Sequence, residues 1–137
     1  WKIINAGKIV GVGVNARYGG HISVFINNSN TAASGGSNID VNGNSLTSNT
    51  INYKYTLLAN PISVSANDIV QIIFKNTTGG YCWHYVSAFD YVNTSSGNLQ
   101  VQGAGYKSTG NTVTTPSRPT NNLIYGYGAT DLIFLPD

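Results

Sequence analysis

The chain contains no glutamate and no methionine, has a single cysteine, and draws only 9% of its 137 residues from the charged types, against about 25% in an ordinary soluble domain. Each shortage excludes something. Five carboxylate side chains, Asp40, Asp68, Asp90, Asp131 and Asp137, leave few ways to build the paired acid and base that hydrolytic catalysis needs. The lone Cys82 excludes an intrachain disulfide, and with it the framework of many small secreted domains. A lone thiol is either buried as a small apolar group or bridged to another chain, and the aromatic run around Cys82 favours burial. The seven cations, Lys2, Lys8, Arg17, Lys54, Lys75, Lys107 and Arg118, are scattered. Nucleic-acid binding, which requires a clustered basic footprint, is therefore not expected. No stretch approaches the roughly 18 consecutive apolar residues of a membrane span, and no leader peptide is visible. The start at Trp1 fits a processed exported protein or an excised segment.

Asn, Ser, Thr, Gly and Tyr take the place of charge. A surface built from them stays in solution through neutral hydrogen bonding, and little electrostatic repulsion opposes close contact between copies. That balance points to an extracellular, cell-surface or virion setting. The length fits one domain, and a hydrophobic content of 41% is enough for a real core.

The hydrophobic period is two. In "KIVGVGV" the apolar set reads Val10, Val12 and Val14, with Gly11 and Gly13 opposite. In "HISVFI" it reads Ile22, Val24 and Ile26. "DIVQIIF" is apolar on most positions of both faces, with Val70, Ile72 and Phe74 on one, which predicts a central strand. Turn clusters rich in Asn and Gly separate these runs, and no window carries helical spacing. The pattern predicts an all-β, single-domain β-sandwich over residues 1–137, jelly-roll-like, with about eight or nine strands. The polar excursion from Asn27 to Asn52 is too long for a hairpin and suits a connection crossing between sheets.

"ISVFINN", a polar excursion and "NPISVSANDIVQIIFKNTT", with Pro61, Ala66, Asp68, Val70, Ile72 and Asn76 in place, resemble the jelly-roll domains of phage tail fibres and of extracellular surface and filament proteins. The closing "TDLIFLPD" is similar to their final strand through Asp131, Leu132 and Phe134. The resemblance lies in strand grammar over most of the chain, and it implies a fold and a setting but no ligand. It departs from the usual pattern at Asn67, where a glycine commonly precedes the Asp; Asn also tolerates a left-handed backbone.

Chemistry-bearing clusters are sparse. Asp68 and Asp131 stand at strand starts, where an Asp commonly accepts bonds from local backbone amides. Cys82 and His84 share a strand face, but no G-x-S-x-G elbow accompanies them. "DVNGNS" sets Asp40, Asn42 and Asn44 at alternate positions, as at the start of a calcium loop. The glycine falls at the fourth position and Ile51 at the twelfth, which rejects an EF-hand and leaves a looser calcium site or a plain Asn-Gly turn. No other cofactor is implied. "GGYCWHYVSAFDY" brings Tyr81, Trp83, His84, Tyr85 and Tyr91 together. Alternation leaves three readings of its aromatics: core, subunit interface, or a sugar platform built on Trp83, His84, Tyr85 and Tyr91. Asn27, Asn76 and Asn93 begin acceptor sequons for N-glycosylation, each at a predicted strand end.

These features favour a non-enzymatic structural or attachment subunit of a surface filament, or of a virion fibre or spike, that self-associates into a homo-oligomer or filament. The apolar start "WKII", Trp1, Lys2, Ile3 and Ile4, is the candidate assembly strand for a neighbour's open sheet edge; an ordinary first strand within its own sheet is the other reading. A carbohydrate-binding module that recognises cell-surface glycans through an aromatic platform is the alternative function.

Overall fold

The computed structural model describes residues 1–15, 19–43, 53–76, 96–100 and 130–137. Every regular element among them is a strand, so no helix there is long and apolar enough to cross a membrane. The strands are β1 (Lys2–Ile3), β2 (Gly7–Val14), β3 (Gly20–Ile26), β4 (Ile39–Val41), β5 (Lys54–Val64), β6 (Val70–Asn76), β7 (Leu99–Gln100) and β8 (Thr130–Pro136). They form three antiparallel sheets, ordered β5-β2-β8, β4-β3-β6 and β1-β7.

The side chains that drive folding are mostly β-branched, which suits a pleated, half-buried surface. Ile3, Ile9, Val12, Val14, Ile22, Val24 and Val70 are fully buried. With Val41, Leu58, Ile62, Val64, Leu99 and Leu132 they make one cluster to which all three sheets contribute. Each such side chain contributes about 1.5–3 kcal/mol by leaving water.

Strict alternation fails in β2. Ile9 faces Ile62 and Phe134, whereas Gly11 faces Leu57 and Ile133. Val10 is thus one extra residue against β8, and against β5 it stands opposite the four residues from Leu58 to Pro61. A bulge of this kind resets which face each later residue takes. The inward set is therefore Ile9, Val12 and Val14, and Val10 is only half-buried, which corrects the Val10, Val12, Val14 reading. Pro61, which has no N–H to give, falls within the interrupted stretch, where a proline costs the ladder least.

The excursion after β3 begins with Asn27 and Asn28 at φ 53° and 58°, and the Ser29 N–H donates to the Ile26 carbonyl at 3.0 Å. The chain then returns along β3. The Ala33 N–H donates to Val24 O, the Val24 N–H to Gly36 O, and β4 pairs with Gly20–Ile22. Only after β4 does the chain change sheets, entering β5 beside β2. So the excursion does cross between sheets, but its first half completes the sheet it leaves. Among the described residues, β6 has β3 as its ladder partner, and β3 holds the centre of that sheet.

Candidate functional site

Two places in the described residues combine defined geometry with chemistry. The first is the seam that holds β1. Along one edge, the Trp1 ammonium donates to Val70 O at 2.8 Å and the Val70 N–H returns a bond to Trp1 O at 2.7 Å. The Ile3 N–H donates to Asp68 O at 2.9 Å, and the Asn67 N–H to Ile3 O at 2.8 Å. Along the other edge Lys2 pairs with Gln100 and Ile3 with Leu99, and the Ile4 N–H donates to Asn98 O at 2.8 Å. Ile3 is 0% exposed. Trp1, Lys2, Ile3 and Ile4 thus pair within their own chain, threaded between residues 67–70 and 98–100.

The seam rests on a turn that the sequence specifies locally. Asn67 adopts φ 73°, and the Asp68 N–H donates to Ser65 O at 3.1 Å. Asp68 closes the turn by accepting the Ser65 N–H at 2.8 Å on Oδ2 and the Asn27 amide at 2.7 Å on Oδ1. Asn27 Oδ1 in turn accepts the Ile69 N–H at 2.8 Å. A carboxamide has the donor and acceptor of a peptide group, so Asn27 pins the end of β3 to the start of β6 as a strand would.

The second place is the outer face of the β5-β2-β8 sheet. The bulge at Val10 sets Gly11 and Gly13 outward on the central strand, flanked by Tyr55 and Leu57 on β5 and by Asp131 and Ile133 on β8. A methyl group at Gly13 would stand 2.6 Å from two ring carbons of Tyr55, and one at Gly11 would stand 2.9 Å from Ile133 Cδ1. These side chains therefore lie across the glycines. The Tyr55 hydroxyl reaches over β2 and donates to Asp131 Oδ2 at 2.6 Å, while Asp131 Oδ1 accepts the Leu132 N–H at 2.8 Å. Tyr53 stacks on Tyr55 with ring centroids 6.2 Å apart and planes 29° apart. Partial burial, then the bond to the Asp131 carboxylate and its negative charge, hold the Tyr55 phenol well above its ordinary value of 10.0. Tyr55 nevertheless remains 47% exposed, with Leu57 at 72% and Leu135 at 56% on the same face.

The structure disposes of the sequence candidates unevenly. Asp40 lies opposite His21 in the β3–β4 ladder, its Oδ1 2.7 Å from the shielded Nδ1 of His21, an ion pair when the imidazole is protonated. Asn42 follows β4, and Asn44 lies outside the described residues. Among the described residues, no group of three or more His, Cys, Asp or Glu could hold a metal ion. Asn27 offers as sequon acceptor the same amide nitrogen that donates to Asp68. Asn76 closes β6, and Asn93 lies outside the described residues, as do Cys82, Trp83, His84, Tyr85 and Tyr91. Asp68 and Asp131 do accept local backbone N–H groups. Sequence reasoning missed Tyr53, Tyr55 and Leu57. The signal was the two-residue spacing in "YKYTL", which puts all three on one strand face.

Comparison with protein-family models, with curated proteins and with solved structures finds no match.

Proposed function

We propose that this chain is a non-enzymatic, extracellular structural or attachment subunit of a surface filament, or of a virion fibre or spike. In this reading its sheets pack as a jelly-roll-like β-sandwich, and copies self-associate through β-strand contacts. The observation that carries the proposal is β1, two residues long and hydrogen-bonded along both edges. Ile3 fills the core from it, and Ile4, Asn5 and Ala6 alone connect it to β2. The slot it fills satisfies a guest strand by main-chain bonds, and those bonds are the same whether residues 1–4 come from one chain or a second copy. Exchange between copies then costs little beyond opening the short connection. A surface with few charges supports the reading, because copies meet without strong repulsion.

Mass in solution by light scattering, combined with cysteine trapping, tests this. Lys2 and Gln100 face each other across the β1–β7 pair. In a Cys82→Ser background, Lys2→Cys with Gln100→Cys is expected to give disulfide-linked dimers and longer ladders. A chain that is monomeric at all concentrations would overturn the proposal. So would an assembly whose engineered disulfides are all intramolecular.

A further inference from the structure

From the outer face of the β5-β2-β8 sheet we infer a binding site for a neutral carbohydrate, in which a sugar ring stacks on Tyr55 and Asp131 accepts its hydroxyl protons. The site is separate from the β1 seam and does not depend on strand exchange.

Tyr55 is held at both ends. Its backbone belongs to β5, and its hydroxyl is bound to Asp131 on β8, two strand spacings or about 10 Å away across the sheet. Between these ends the ring lies over Gly13, where no side chain lifts it, and Tyr53 stacks beside it. The result is an aromatic tile set before any ligand arrives, so little rotamer freedom remains to be lost on binding. The face of an aromatic ring is electron-rich, and the C–H groups on the flat side of a pyranose carry the complementary partial positive charge. Leu57 continues the row by two residues along β5 and is the most exposed large apolar side chain described there.

Asp131 decides between occupants. Each of its oxygens already accepts one bond, Oδ2 from Tyr55 and Oδ1 from Leu132. Each keeps further acceptor capacity. An apolar protein surface laid on Tyr55 and Leu57 would strip water from that carboxylate and supply no donor, a costly desolvation. A polyol covers the ring with C–H groups and brings hydroxyl donors to the carboxylate. Recognition by one aromatic tile and one acceptor set on a sheet face fits a chain of sugars lying along β5 better than a single small molecule.

The test is saturation-transfer NMR on the full chain, with soluble hexasaccharides of glucose, N-acetylglucosamine and mannose as probes and co-sedimentation with insoluble cellulose and chitin beside it. At least one probe is expected to bind at millimolar concentration and to shift the Gly11 and Gly13 amides. Tyr55→Ala is expected to weaken binding roughly tenfold, the scale of one lost aromatic contact. Tyr55→Phe keeps the ring but frees it, and should weaken binding several-fold less than Tyr55→Ala. Leu57→Ala, at an exposed position that burdens folding little, should also weaken binding. No binding by any probe overturns the inference, as does binding that survives both Tyr55→Phe and Leu57→Ala undiminished. A particle that loses mass on Leu57→Ala and gives no sugar signal assigns the face to a second copy and overturns it too. Cysteine trapping at Lys2 and Gln100 reads the β1 seam independently, so failure of either proposal is distinguishable from failure of the other.

Discussion

At Gly13 the side chain is a hydrogen, and this is why Tyr55 can lie across the sheet to reach Asp131. Gly13→Ala places a methyl group 2.6 Å from the ring. It is expected to destabilise the chain by about 1–3 kcal/mol, as overpacking does, and to expose Tyr55 further; a urea titration and tyrosine fluorescence measure the two effects. Tyr55 also titrates in a predictable direction. Burial and the Asp131 carboxylate both oppose a phenolate, so the folded chain holds the proton to higher pH than the unfolded chain does. The contribution to stability is whole below the ordinary value of 10.0 and is lost as pH rises beyond it. Between about pH 9 and about pH 11, the urea midpoint of the parent chain is expected to fall further than that of Tyr55→Phe. An equal fall in the two would mean that Tyr55 is not the group responsible.

At the level of elements, irregularities do as much as strands. The bulge at Val10 turns Gly11 and Gly13 to the outer face and so makes room for Tyr55 and Ile133. The Asn27–Asp68 clamp joins the end of β3 to the turn before β6 and lies beside the backbone that receives β1. Asp68→Ala strips one partner from the Ser65 N–H and another from Asn27. It is expected to cost about 1–3 kcal/mol, and hydrogen exchange should quicken at Ser65 and along β1. Ile3→Ala removes a fully buried side chain and is expected to cost about 2–5 kcal/mol, read as a lowered urea midpoint. An Ile3→Ala chain as stable as its parent would show that β1 is dispensable to the core.

For the molecule as a whole, the scarcity of charge sets the response to solvent. Exposed pairs such as His21–Asp40 contribute about 1 kcal/mol or less, and few charges of either sign exist to be screened. Stability is therefore expected to change by less than about 1 kcal/mol between dilute and half-molar sodium chloride. A larger loss in salt would reveal an electrostatic network that this composition does not suggest.

How much was legible without coordinates follows from the range of each interaction. The all-β class could be read because side-chain alternation and β-branched content are local properties of Val12, Val14, Ile22 and Val24. The turn at Asn67 and Asp68 was readable for the same reason, since its bonds between Ser65 and Asp68 close within four residues, whereas the Asn27 bond to Asp68, from 41 residues away, was not. Val10 was misassigned because a bulge is defined against partner strands, here Leu57–Ile62 and Ile133–Phe134, which are far away in the chain. Nothing near Tyr55 foretells Asp131, 76 residues on, and nothing near Ile3 foretells Asn67 or Leu99. Composition and alternation settled what kind of surface and what kind of element this chain would make. Where the bulge would fall, how Tyr55 would meet Asp131 and which strands would close around β1 were decided only when distant segments paired, because register is a relation between segments that no single segment contains.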